Sequence, residues 1–297
     1  MPILLSATHA LDFLITSLFL GSVVCTQFVL KGHDDPAEPM DAKTRARTRA
    51  LGFILFLTSS AWTLLTASDM AESWEPTNLW TALGQTNFGH LWCIRLILIA
   101  ILAFVAPRFR NTPWAKVYVV LVCTLPLFAT FTGHASAQGS VLRTVADYLH
   151  ALAAGIWAGG LFSLLFWLSA QLSAKGDAAG VIQAVVERFS KVAMGSVAII
   201  FVSGILMTYQ GGVDFLHPWA TDYGRLILAK VALFLLALGA AGLNQFIHLR
   251  KWKTAGETLV ATHVSREVKL ELALIVFIFA VAGFLTRTDL PLLVSSP

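Results

Sequence analysis

The sequence predicts an all-α integral membrane protein with eight transmembrane helices. Three observations lead there. Hydrophobic residues make up 57% of the 297 positions and charged residues only 13%, against about 25% charge in an ordinary soluble domain. Apolar runs long enough to cross a hydrocarbon core, roughly 20 residues at about 1.5 Å rise, recur eight times along the chain. Basic residues collect in alternate loops between those runs. Lipid offers no partner for a bare N–H or C=O, so the spanning segments must satisfy their own backbones as helices. The short alternating segments of a barrel are not seen.

The runs cover 3–30, 50–72, 89–107, 115–133, 144–171, 189–210, 224–248 and 268–287. The first has no basic stretch ahead of it and no small-residue cleavage site, and reads as a retained span. An acidic-then-basic loop, His33 to Arg49, separates it from the second, which closes at Asp69 and Met70. The third opens at Gly89-His90 and stops before Arg108; the fourth lies between Lys116 and Gly133. The fifth ends ahead of Lys175, and the sixth starts after Arg188 and closes at Met207. Arg250 follows the seventh, and Lys269 and Arg287 bracket the eighth. No long Gly/Ser linker interrupts the series, so residues 1–297 read as one membrane domain.

The loops after the first, third, fifth and seventh runs, with the flanking helix ends, hold 16 of the 21 Lys and Arg residues. By the positive-inside bias those loops are cytoplasmic and both termini face outward, into the periplasm of a Gram-negative cell. The formal charge of +4 therefore needs no nucleic acid to explain it. Cys25, Cys93 and Cys123 lie in or at the ends of apolar runs without CxxC spacing, which indicates neither a disulfide framework nor a zinc ribbon. No Walker loop, HExxH or GxSxG occurs, so a nucleotide-driven pump and a membrane metalloprotease lack support.

The halves carry a weak internal repeat, residues 1–140 against 141–297, which reads as two tandem four-helix units of the same topology. His9-Ala10-Leu11 recurs as His150-Ala151-Leu152, Met70 as Met207, and Gly89-His90-Leu91 with Arg95 as Gly224-Arg225-Leu226 with Lys230. Repeats in transporters place sites at their shared interface.

Polar residues inside the spans are the informative ones, because ionisable groups there are costly and mark functional positions. His9, Arg95, His150 and Lys230 each lie about six residues past the outer start of a run, roughly 9 Å deep. Asp12 follows His9 by three residues and Asp147 precedes His150 by three, so each carboxylate shares a helix face with an imidazole. A carboxylate so placed orients a ligand His and raises its basicity. His90, His134, Met70 and Met207 approach the same layer from helix ends. Imidazole with thioether suits copper rather than magnesium or calcium, although the spacing alone specifies no metal.

Structural readings stand beside these. A membrane His also serves as a helix-to-helix hydrogen-bond partner, Met fills gaps, and Arg95 or Lys230 can snorkel to the interface. His217 precedes Pro218 in a loop and reads as solvated, and His33, His248 and His263 read as ordinary residues of the inner face.

The stretch Asp147-Tyr148-Leu149-His150-Ala151-Leu152-Ala153-Ala154-Gly155-Ile156-Trp157-Ala158-Gly159-Gly160-Leu161 resembles the His-to-Trp-Gly-Gly-Leu segment of the CopD copper resistance family. Gly133-His134-Ala135, Arg188-Phe189-Ser190, Ser203-Gly204, Tyr223-Gly224-Arg225-Leu226 with Lys230, Asn244, Glu271 and Thr288-x-x-Pro291 match in order. The resemblance implies an eight-helix bacterial inner-membrane protein that handles copper, with His9, His134 and His150 at the family's recurrent His positions. It also implies a separate periplasmic CopC-like partner, since no such domain is fused here. The His-to-Trp-Gly-Leu helix and the Lys two helices later are also similar to the HemJ family. That likeness implies the alternative of a haem b-binding oxidoreductase, with His9 or His150 on the iron and Lys230 and Arg95 near the cofactor.

Overall fold

The computed structural model describes residues 2–30, 39–105, 114–132, 140–173, 179–243, 257–286 and 288. Among them are ten α-helices and no strand. They are α1 (Pro2–Val24), α2 (Pro39–Ala71), α3 (Pro76–Gln85), α4 (Asn87–Val105), α5 (Ala115–Cys123), α6 (Leu125–Thr132), α7 (Val141–Ser173), α8 (Ala179–Gln210), α9 (Asp222–Leu243) and α10 (Glu257–Leu285). Helices α1, α2, α4, α7, α8, α9 and α10, together with the pair α5–α6, provide eight stretches long and apolar enough to cross a membrane.

Local chemistry explains the irregularities. Pro126 has no N–H to give and crowds the preceding turn, and the fourth crossing breaks at Thr124 into α5 and α6. Helix α1 ends in a π-turn, Cys25–Val29, in which Leu30 N–H reaches back 3.0 Å to the Cys25 carbonyl. Helices α2 and α8 terminate alike, with a left-handed residue (Glu72, φ 50°; Gly212, φ 73°) and a bond from the following N–H to a carbonyl five residues back, which satisfies the last carbonyls of each helix.

Three helices differ from the sequence expectation. The stretches α2, α8 and α10 begin at Pro39, Ala179 and Glu257, well before 50, 189 and 268. Arg45, Arg47, Arg49, Glu187 and Arg188 still belong to the helix. Hydropathy marks where a helix leaves lipid, whereas helical hydrogen bonding continues into water. The short α3 in the loop after α2 carries too little apolar sequence to stand out as a span.

Helices α1 and α7 form the centre and run in parallel, with Ser17 against Gly155 and Gly159, and Gly21 against Gly159 and Gly160. A Cβ on Gly21 would stand 2.7 Å from the Gly159 Cα and 2.8 Å from the Gly160 nitrogen. Only glycines on both faces let the backbones come this close, the small-xxx-small solution for helices in lipid. Helix α7 is the most enclosed span, with 67% of its apolar window buried against 39% or less elsewhere. Helices α2 and α10 flank α1, and α8 and α10 flank α7. One apolar core gathers Phe19, Leu20, Leu55, Ile99 and Leu102. The other gathers Trp157, Leu161, Leu164, Phe189 and Ile275.

Candidate functional site

Because α1, α4 and α7 run in the same direction, His9, Arg95 and His150 lie at one end of the bundle, as the sequence predicts. Their partners there are less regular than the repeat implies.

In the first half the charges are locked together. Arg95 Nη2 lies 3.0 Å from Asp12 Oδ2, and both side chains are only 2% exposed. The Ser59 hydroxyl donates to Asp12 Oδ1 at 2.5 Å, Arg95 Nη1 donates to Ser59 Oγ at 2.9 Å, and Arg95 Nη2 donates to Thr16 Oγ1 at 2.7 Å. The guanidinium also stands 4.5 Å from the centre of the Trp92 ring. Helices α1, α2 and α4 are thereby joined in one polar knot. Arg95 does not snorkel outward, and Asp12 directs its oxygens to Arg95 and Ser59. A cavity about the size of one water reaches Arg95 between Phe13, Thr16, Ala129, Ala151 and Gly155.

His9 is oriented from another side. Its Nδ1 is 3.0 Å from Thr286 Oγ1 of α10, and its ring stacks on Trp62 at 4.5 Å and 27°. Gly283 permits the approach, because a Cβ there would be 3.1 Å from the Ala10 Cα. His150 Nδ1 is likewise 3.0 Å from Ser203 Oγ of α8. The single Ser203 hydrogen points to the Ile199 carbonyl at 2.5 Å, so Ser203 accepts from the imidazole. His150 then carries its proton on Nδ1 and presents an Nε2 lone pair, the form a metal takes. Thr286 Oγ1 points to the Gly283 carbonyl at 2.8 Å, which favours the same tautomer for His9.

The second half holds its charges apart. Asp147 is influenced by Lys230, Arg143 and Thr130, and Lys230 acts on His150 as well. No ion pair within 4.0 Å joins Asp147 to Lys230 among the described residues. The buried Thr130 hydroxyl stands beside Asp147 as its hydrogen-bonding neighbour. Arg143 Nη1 donates to the Gln210 carbonyl at 2.9 Å, a cation at the C-terminal end of α8 where the helix dipole favours it. Thus the Arg95-to-Lys230 correspondence holds in position but not in pairing.

The remaining candidates are peripheral or undescribed. His90 is exposed and donates from Nε2 to the Gly84 carbonyl at 2.7 Å, tying α4 to α3. Met70 is exposed and Met207 half-buried at the ends of α2 and α8. His134, with His33 and His248, lies outside the described residues, as does the side chain of His263. No group of three His, Cys, Asp or Glu side chains suited to a metal occurs among the described residues. His9, His90 and His150 are therefore not brought together as a ligand set by themselves. In the loop after α8, His217 donates to Asp214 at 3.0 Å; this bond and one from the Leu216 N–H hold the Asp214 carboxyl below its ordinary range.

Sequence reasoning missed Thr16, Ser59, Thr286 and Trp62, which with Ser203, known there only as a family match, hold the charged and imidazole groups. Thr16 had a signal, standing one helical turn from Asp12. The others come from distant helices, and nothing local marks them.

Eight membrane-length helices around a buried polar layer define a multi-pass bacterial inner-membrane protein. The family follows from two matches. Residues 1–144 match the copper resistance protein D-like N-terminal domain, and residues 183–285 match copper resistance protein D. The chain belongs to the copper resistance protein D family. It is 28% identical over 96% of its length to the copper transport protein CutJ of Bacillus subtilis, and spans 53% of that protein. It is 26% identical to copper resistance protein D of Pseudomonas syringae pv. tomato, over 64% of this chain and 63% of that one. It is also 26% identical to the inner membrane protein YebZ of Escherichia coli, over 64% of this chain and 68% of that one. The chain thus spans between half and two thirds of the first two relatives. No solved structure matches.

Proposed function

We propose that this protein moves copper across the inner membrane, taking the ion from the periplasm at His9, His134 and His150, with His90, Met70 and Met207 as outer approach ligands. Membership of a family named for copper resistance supports the cargo. The observation that carries the site is the pair of imidazoles on the two central helices, each donating from Nδ1 to a hydroxyl whose own hydrogen is already engaged. In that tautomer the lone pair of each ring is on Nε2, the form of imidazole a soft or borderline cation takes. His134, outside the described residues, is the third nitrogen of the proposed set. Ser203 and Thr286 act as the orienting groups behind the ligands, and the Asp12–Arg95 knot fixes the helices on which the ligands stand. A separate CopC-like protein delivers the ion, and the two four-helix units descend from one duplicated unit.

Copper uptake into proteoliposomes tests this reading. The wild-type chain accumulates copper; His150→Ala and the His9→Ala, His134→Ala pair abolish accumulation while the proteins remain inserted. Uptake unchanged by all three substitutions refutes the site.

One observation favours a second reading, a haem b site with periplasmic cupric reduction. Helices α8 and α9 scarcely pack on each other, and Lys230 of α9 acts electrostatically on His150. Haem bound there would supply one-electron chemistry, and His150 and Lys230 are the residues that would hold it. Arg95, closed into the Asp12 pair, is not accessible for that purpose. A Soret band that His150→Ala removes would support this reading, and a colourless copper-binding protein would dismiss it.

A further inference from the structure

Glu271 lies at the far end of the bundle from His9 and His150, six residues into the eighth span, Ser265–Leu285, or about 9 Å from its start. It is 3% exposed. Val268, Ile275 and Phe279, at helical spacing around it, belong to the apolar core. The carboxyl therefore occupies a core position rather than a face turned to water.

No described residue compensates a charge here. Among the described residues the carboxyl of Glu271 has no hydrogen bond and no ion pair, and the one charge acting on it is Glu267, one turn earlier and of the same sign. Helices α1, α7 and α9 pack against α10. Their halves at this level, residues 17–30, 155–171 and 231–243, contain no Asp, Glu, His, Lys or Arg. Cys25 is the titratable residue they contribute. Arg266 and Lys269 stand on α10 itself, nearer its start. A carboxylate without a counter-charge in apolar surroundings takes up a proton, and intramembrane acids of this kind mark proton pathways.

We propose that Glu271 is a proton-binding site at the basic-loop end of the bundle, exchanging H⁺ with the aqueous phase on that side and coupling proton movement to copper transfer. The proton site stands on burial and missing partners; its coupling role rests on the transport reading above. Uptake of H⁺ converts the carboxylate to the neutral acid and release returns it, with no other bond made or broken. The acid on this side and the imidazole layer on the other place the coupling ion and the cargo in opposite halves of the membrane.

Infrared difference spectroscopy of the full chain in lipid vesicles tests the site without copper. At pH 7 the wild type should show a carboxylic-acid carbonyl band that shifts in D₂O, is lost in Glu271→Gln and moves in Glu271→Asp. Absence of the band at pH 7, or its persistence unchanged in both variants, overturns the proposal. Copper uptake under an imposed pH gradient tests the coupling. Glu271→Gln should lose gradient stimulation while binding as much copper as the wild type, and retained stimulation overturns the coupling. A wild type that moves no copper refutes the transport reading and the coupling with it, while the infrared band still decides the proton site.

Discussion

Replacing Arg95 by Met removes one side of a buried charge pair and nearly preserves its volume. In the native arrangement the guanidinium donates to Asp12, Ser59 and Thr16 within 3.0 Å. Without it the Asp12 carboxylate stays 2% exposed with the Ser59 hydroxyl as its donor. Breaking such a pair costs about 3–5 kcal/mol. Asp12→Leu should fall at the low end of that range, because Arg95 keeps Ser59, Thr16 and the Trp92 ring. The double variant Asp12→Leu/Arg95→Met leaves no charge to bury, so it should cost less than Arg95→Met alone, with a coupling of about 2 kcal/mol or more. The assay is unfolding in detergent micelles, arranged as a double-mutant cycle. Additive single effects, or an Arg95→Met protein as stable as the wild type, would refute the claim that this pair ties α1, α2 and α4.

Three further outcomes follow from the geometry. Gly159→Ala places a Cβ against the α1 backbone, with the Gly21 Cα at 2.7 Å, and should destabilise by about 1–3 kcal/mol or more; Gly239→Ala, which meets open space, should be nearly neutral in the same melt. Ser203→Ala removes the acceptor that orients His150 and should weaken copper binding roughly 10–100-fold, measured by competition with a chelator, without unfolding the protein. Ligand imidazoles must be unprotonated, so copper retention should fall as pH drops below about 6; Asp214→Asn, in a loop whose carboxyl is held below its ordinary range and is already ionised there, should leave that profile unchanged.

The membrane architecture was legible because lipid imposes it. Length and apolarity located eight spans, and the helix starts erred where α2, α8 and α10 continue beyond the apolar run into charged turns. That His9, Arg95 and His150 share one end of the bundle was also readable from residue counts. Pairing was not. Asp12 sits three residues from His9, yet Arg95 from α4 and Ser59 from α2 take its oxygens, since a buried guanidinium outcompetes an imidazole for a carboxylate. Conversely Lys230, which matches Arg95 in the repeat, closes no ion pair with Asp147 among the described residues, and Asp147 stands three residues before its imidazole where Asp12 stands three after. Glu271 matched a family position in sequence, but its lack of a counter-charge among the described residues emerges only from the three helices that surround it.

The central claim is that imidazoles of the two middle helices hold copper. It is tested most directly by metal analysis of the purified protein after copper loading, alongside its visible spectrum. The account predicts bound copper without a Soret band, and loss of that copper in the triple variant His9→Ala, His134→Ala, His150→Ala, which remains folded. Equal copper content in the triple variant and the wild type would contradict it.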